Sequence, residues 1–343
     1  MNESLPCWVG FDTSNYTTSA AVAVRDPDTP GALKIAANLK APLPVAPGGR
    51  GLRQSEAVFA HVKNLPGLIA SLREVLTAGG YTVAGAGVSS KPRDAEDSYM
   101  PCFLEGVAAA EAFAAGAGCP LYTFSHQSGH ITAALYSSGA LYRDRAAGRP
   151  LTGDYLAFHV SGGTTEAVAA HPRRSGFDVE LLGRGADLHA GQVIDRTGVM
   201  MGLDFPCGSA LERLAVKNQK KLPPVKLCVR DGVCNLSGVE NQAAKLWRDT
   251  QDGPLVASYV LTFIGRTLRL MTDQIQEKLA AQGSVLPVVY AGGVMSNRFI
   301  RPILSEGTRW EVLFSEPAFS ADNAAGIALL CAEADISAHE STN

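Results

Sequence analysis

Much of what would sort this chain quickly is missing from it. No basic amino-terminal region precedes a long apolar run, so there is no sign of an export signal. No uninterrupted apolar stretch approaches the length of a membrane span. A basic excess is absent too: 30 Lys and Arg stand against 33 Asp and Glu, a formal net charge of −3. Nucleic-acid binders usually carry surplus Lys and Arg, so any contact with RNA must use a local patch or borrow a basic partner. The seven cysteines (Cys7, Cys102, Cys119, Cys207, Cys228, Cys234 and Cys331) are odd in number and scattered. Their nearest pair, in CVRDGVC, lacks the short spacing of a zinc knuckle. They read as reduced thiols of a cytoplasmic protein, none of them catalytic. Linker-like and repetitive stretches are also lacking.

What is present is enough for two domains. The chain has 343 residues, and 46% of them are hydrophobic, sufficient to fill two ordinary cores. Residues 8–24, WVGFDTSNYTTSAAVAV, predict strand, polar turn, strand, and residues 155–169, YLAFHVSGGTTEAVA, predict the same. Their Thr-Thr pairs, Thr17-Thr18 and Thr164-Thr165, are separated by about one domain length. Either segment alone fits an ordinary hairpin; the two together imply similar α/β lobes facing each other across a cleft. Helices are predicted over 55–79, with Pro66 starting a second stretch or kinking the first, over FLEGVAAAEAFAAG with Gly116 and Gly118 as stops, and over 254–283. A buried strand, a Gly-Gly turn and a helix capped by Ser296 follow in VLPVVYAGGVMSNRFIRPIL. SADNAAGIALLCAEA predicts a last helix with Asp322 in its first turn.

Three segments carry chemistry. In TFSHQSGHIT, a helix puts His126 and His130 one turn apart on one face, a spacing that suits a shared zinc or iron ion but also fits two polar surface histidines. Gln127 stands where HExxH proteases place their glutamate; an amide cannot act as general base, which excludes that mechanism. A third ligand must come from elsewhere, and Asp322 is the candidate. In GADLHAGQVIDRTGVMMGLDFPCGSALERLA, Asp195 on a helix faces a glycine turn around Gly208, a pairing that can hold ribose or base hydroxyls. AGGVMSN, with Gly292, Gly293 and Asn297, forms a similar mouth. His61, His171 and His339 give no signal, and the charged run KPRDAED reads as solvated surface.

Taken in order, VGFDTS, GLRQSEAVFAHVKNLPGLI, HQSGH, HVSGGTTEAV, GQVIDRTGVMMGLDFPCGSALE, AGGVMSNRFIR and FSADNAAGIA resemble the TsaD family, transferases that make threonylcarbamoyladenosine in tRNA. The resemblance implies an actin-like ATPase and sugar kinase fold of two duplicated α/β lobes. The expected division is a lobe over 1–125, with a C-terminal helix of about 320–343 packing back on it, and a second lobe over 126–319. It implies that His126, His130 and Asp322 hold one divalent metal, iron or zinc, with magnesium admitted alongside nucleotide. Ser161, Gly162 and Gly163 are then catalytic, near the metal and the ligand phosphate, while Asp195, Gly208, Glu212 and Asn297 contact the adenosine. The implied ligand is a threonylcarbamoyl-adenylate or another ATP- or AMP-type nucleotide. The implied acceptor is tRNA, reached with helper proteins in a hetero- or homodimer, away from any membrane.

Three places depart from the family pattern. Thr164 replaces the histidine of SGGHT, Asn15, Tyr16 and Thr17 replace acidic residues, and VSSKPRDAEDSYMP replaces a glycine-rich stretch. They point to a divergent member or paralogue, whose acceptor is tRNA or another molecule. Two other readings remain open. One is an actin-like ATPase or small-molecule kinase using Asp12 or Glu166 with Mg²⁺; the other is a non-catalytic nucleotide-binding scaffold that pairs with a true transferase.

Overall fold

β1 (Leu5–Thr13) is buried over its last seven residues, as expected of a strand covered on both faces. The computed structural model that contains it describes residues 4–44, 52–142, 153–173 and 176–340. Gly51, which opens the first-helix segment quoted above, and residues 341–343 of the expected last helix lie outside the described residues. From β1 the chain turns into β2 (Thr17–Arg25) and β3 (Leu33–Pro42), then α1 (Gln54–Gly79), β4 (Tyr81–Lys91), α2 (Phe103–Ala117), β5 (Leu121–Ser125) and α3 (His126–Ser137). Sheet order is β3-β2-β1-β4-β5. β1 pairs antiparallel with β2 and β2 with β3, whereas β4 and β5 add in parallel, each after a helix that carries the chain back.

The same wiring then recurs. β6 (Tyr155–Val160), β7 (Thr165–Arg173) and β8 (Gly176–Gly185) are followed by α4 (Ala190–Met200), α5 (Gly208–Ala215), the short strands β9 (Val229–Arg230) and β10 (Val233–Cys234), α6 (Ser237–Thr250) and α7 (Gly253–Ala281). β11 (Val288–Ala291), a 3₁₀ turn over Gly293–Ser296, α8 (Ile300–Ser305), β12 (Val312–Phe314) and α9 (Pro317–Ser320) complete this part, and α10 (Ala325–Glu340) ends the described chain. The sheet runs β12-β11-β6-β7-β8, extended by β10 and β9. β6 is antiparallel to β7, and β11 and β12 add in parallel, matching β1, β2, β4 and β5 in turn. Thr17 starts β2 and Thr165 starts β7, so the repeated Thr-Thr pairs mark equivalent hairpins.

The chain forms two compact units: Met1–Gly153 with His171–Asp178 and Ala321–Asn343, and Asp154–Ala170 with Val179–Ser320. The first unit extends past residue 125 and takes in α3, because α3 packs on α10. Its core gathers Val9, Phe11, Val22, Leu72 and Val88. The second is centred on α7, apolar nearly all round, with Leu156, Phe158, Ile264 and Tyr290. No described helix is long and apolar enough to cross a membrane.

Four local expectations need correction. α1 is one helix from Gln54 to Gly79 with Pro66 inside it, so no second stretch starts there, and Leu65, Leu68 and Leu72 lie on its buried face. Gly116 lies inside α2, and only Gly118, at φ 66°, ends it. The cap of α8 is Asn297 rather than Ser296: its Oδ1 accepts the N–H groups of Phe299 and Ile300 at 3.0 and 3.1 Å. Asp322 precedes α10 instead of sitting in its first turn; Asn323 takes the capping role by accepting the Ala325 N–H at 3.1 Å. That leaves the Asp322 oxygens for other partners.

Candidate functional site

In the first unit, α3 begins on the histidine motif itself. Ser125 caps it, its hydroxyl oxygen accepting the Ser128 N–H at 3.1 Å. The α3–α10 crossing is close because glycines meet there: a Cβ on Gly326 would collide with the Gly129 carbonyl, and one on Gly129 would press on Ile327 at 2.9 Å. The glycine of HQSGH therefore lets α10 approach, and the turn before α10 carries Asp322 to the imidazoles.

His126 Nε2 and His130 Nε2 stand 2.9 Å apart, and Asp322 Oδ1 lies 3.3 Å from His130 Nε2 and 3.8 Å from His126 Nε2. Metal–ligand bonds of about 2.0–2.2 Å set neighbouring ligands in a tetrahedral shell roughly 3.3–3.6 Å apart. A triangle with these sides fits one ion, and the two-nitrogen, one-oxygen donor set suits zinc or iron. It leaves coordination positions for a substrate.

The surroundings orient this triangle. His126 Nδ1 lies 2.9 Å from Asp12 Oδ1. An ionised carboxylate only accepts, so Nδ1 carries the proton and Nε2 of the neutral ring turns its lone pair toward the other ligands. Asp12 is fully buried and also accepts the Ser89 hydroxyl, while its Oδ2 has no hydrogen-bond partner among the described residues. Burial alone would lower the His126 pKa, but the charge and hydrogen bond of Asp12, with the charge of Asp322, lift it to about 9. Without a cation, a proton on His126 occupies the place between the rings. Burial pushes the Asp322 carboxyl up; the neighbouring His130 imidazole, the charge of His126 and the Ser14 hydroxyl hold it well below the usual carboxylate range. Ser14 Oγ donates to Asp322 Oδ2 at 2.7 Å.

His61 carries more than its sequence suggested. It is fully buried, and its Nε2 donates to the Ser14 carbonyl at 2.9 Å while Nδ1 accepts from Thr18 Oγ1 at 2.8 Å. Burial lowers its pKa, in keeping with a neutral ring that fixes the turn from which Ser14 reaches Asp322. A signal existed: His61 interrupts the buried stripe Ala57, Leu65, Leu68 and Leu72 of α1. Asp94 lies on an exposed loop, as expected of the charged run, and also accepts the Ser125 and Ser128 hydroxyls at 2.6 and 3.0 Å, at the head of α3.

In the second unit, Ser161, Gly162 and Gly163 form the β6–β7 turn. The Ser161 hydroxyl oxygen accepts the N–H groups of Gly163 and Thr164 at 3.3 and 3.1 Å, and the Ser161 carbonyl accepts that of Gly191 at 3.0 Å. The serine oxygen therefore closes its own turn. Asp195, Gly208, Glu212 and Asn297 are brought together by short links. Asp195 Oδ1 accepts the Cys207 N–H at 2.8 Å, Gly208 and Glu212 lie one turn apart on α5, and Glu212 Oε1 accepts the N–H of Arg298, next to Asn297, at 2.8 Å. Burial raises the Asp195 pKa against the effect of that amide. Two carboxylates and a glycine-led helix start can meet hydroxyl groups there.

Comparisons with known proteins agree with these motifs. The tRNA N6-adenosine threonylcarbamoyltransferase of Maricaulis maris (strain MCS10) is 28% identical over 344 residues, covering 94% of this chain and 84% of the relative. That of Streptococcus pyogenes serotype M5 (strain Manfredo) is 30% identical over 235 residues, covering 67% of this chain and 64% of the relative. Among solved structures, full-length HypF in its phosphate- and nucleotide-bound form superposes with a TM-score of 0.58 at 10% identity, over 99% of this chain and 47% of that one. HypF from T. kodakarensis gives 0.57 at 13%, over 98% and 48%. The fold is the α/β fold of the actin-like ATPases and sugar kinases. Residues 99–329 match the model of TsaD, tRNA N6-adenosine threonylcarbamoyltransferase, and the chain belongs to that family.

Proposed function

We propose that the chain is a metal-dependent transferase that moves a threonylcarbamoyl group from a carbamoyl-adenylate to the N6 amine of an adenosine in tRNA, in the cytoplasm. The observation that carries the reading is the triangle of His126, His130 and Asp322, with Asp12 fixing His126 from behind. A divalent cation held there would act as a Lewis acid on the carbamoyl and threonyl oxygens. Asp12 keeps the proton of His126 on Nδ1, and Ser14 and His61 keep Asp322 aimed at the rings. Asp195, Gly208, Glu212 and Asn297 hold the adenosine, and the glycine turn of Ser161, Gly162 and Gly163, where no Cβ stands on either glycine, lets the phosphate approach the backbone closely. As the N–C bond to the acceptor forms, the C–O bond to AMP breaks, AMP leaves with the electron pair, and the proton lost by the amine passes to water.

A kinase has no task for the histidine pair, and Asp12, which that mechanism would need near phosphate, is engaged by His126 and Ser89. A scaffold would have no need of the triangle. The test is a transfer assay with labelled threonine, bicarbonate, ATP, an adenylate-forming enzyme and tRNA. Labelled tRNA from the wild-type chain, and none from His130→Ala, is expected. AMP release with unlabelled tRNA would assign another acceptor, as expected of a divergent paralogue, and ATP hydrolysis to ADP unaffected by His130→Ala would replace the transferase reading with the kinase one.

A further inference from the structure

Charge in the second unit is unevenly spread. From Arg213 to Arg230 the sequence holds six Lys or Arg and no Asp or Glu, in a chain with slightly more acids than bases overall. All six are exposed. Lys220 is tied to Asp252 at 2.6 Å, whereas Arg213, Lys217, Lys221, Lys226 and Arg230 form no salt bridge among the described residues. Glu212 and Asp231 bracket the run, and Glu212 is engaged by the Arg298 N–H.

The segment is fastened down. Leu222, Val225, Leu227 and Val229 pack against the core of the unit, so the residues alternating with them, Lys221, Lys226 and Arg230, face outward. Asn218 and Lys220 exchange two hydrogen bonds, at 2.9 and 3.1 Å. β9 and β10 close over Asp231 and Gly232, both at positive φ, the geometry of a two-residue hairpin turn. Gln274 then ties down both sides of that hairpin, donating to the Val229 carbonyl and accepting the Gly232 N–H, each at 3.3 Å. The result is a strap of like charges held in fixed positions, whose mutual repulsion no carboxylate of the run relieves.

We infer that this strap is the surface along which the sugar-phosphate backbone of an RNA lies. The inference rests on the reading of tRNA as acceptor. Lysine meets phosphate as a point charge, and an extended row of such charges suits a continuous polyanion better than the few carboxylates of an acidic protein. The run contains no aromatic residue on which a base could stack. Its contacts therefore position the RNA and carry no sequence preference. This is the local patch that the near-neutral composition hides.

The test uses the full chain with four neutralising substitutions, Lys217→Gln, Lys221→Gln, Lys226→Gln and Arg230→Gln. A control of equal charge carries Lys63→Gln, Arg73→Gln, Arg248→Gln and Lys278→Gln. Binding to tRNA is followed by fluorescence anisotropy from 50 to 200 mM salt, with polyglutamate as a second probe. The strap variant should bind about 100- to 1000-fold more weakly near physiological salt, with the slope of log K against log salt reduced by about 3, while the control keeps nearly the wild-type slope. Four outcomes would overturn the strap: a variant with wild-type slope, a control that loses as much, a wild-type chain that does not bind tRNA at low salt, or equal affinity for polyglutamate, which would assign an acidic protein instead. Transfer measured on the same samples separates the two claims. A wild-type chain that binds with the expected slope yet transfers nothing rejects the acceptor reading and leaves the strap standing.

Discussion

After β1 and again after β6 the chain turns, and in both turns a serine stands three residues before a Thr-Thr pair. Ser14 donates to Asp322 Oδ2, whereas Ser161 accepts the N–H groups of Gly163 and Thr164. The residues between decide this. Gly162 and Gly163 let the backbone fold over the serine, while Asn15 accepts from Gln54 at 2.7 Å and leaves Ser14 facing the aspartate. The strands before the turns differ as well: Asp12, which orients His126, has His159 as its counterpart 147 positions on. Of two equivalent hairpins, only the first lines the triangle of His126, His130 and Asp322.

The largest predicted effect tests whether the first hairpin depends on α10. Gly326→Val would collide with Gly129 and should cost on the order of 3 kcal/mol in thermal unfolding, with loss of bound metal; a wild-type melting curve would show that the crossing is not close. Next, Asp12→Asn keeps the shape but removes the charge behind His126, and metal affinity measured by competition with a chelator should fall about 10- to 100-fold. The paired substitutions Ser14→Ala and Ser161→Ala sharpen the comparison. The first should lower metal affinity by about fivefold with little effect on nucleotide; the second should leave metal alone and lower stability by about 1 kcal/mol. Equal effects on metal would mean that the two serines share one role. Smallest is a chemical difference without functional consequence. Burial pushes the Cys7, Cys102 and Cys234 thiols up to about 12, so at pH 9 fewer than about one in a hundred is a thiolate. Alkylation followed by mass spectrometry at pH 9 should mark exposed Cys228 and spare those three until the chain unfolds.

The sequence displayed what is local and periodic. Both hairpins, the helix of HQSGH and the long α7 follow from apolar spacing and from turn residues. The triangle needed one distant residue, Asp322, and the motif order reached it. Less visible were groups whose meaning depends on contacts across the fold. His61 lies 47 residues from the Ser14 it holds, and Asp94 reads as a loop charge until Ser125 and Ser128 are seen to donate to it. Helix boundaries failed where tertiary contacts outweighed local preference, as at Pro66, whose missing N–H the packing of α1 outweighs. The basic strap disappeared into a balanced total charge.

The claim on which this account rests is that His126, His130 and Asp322 together hold one transition-metal ion. Elemental analysis of the purified full chain beside a His126→Ala/His130→Ala variant tests it directly. Close to one iron or zinc per wild-type chain and almost none in the variant is expected; equal metal content in the two would rule the triangle out as a metal site.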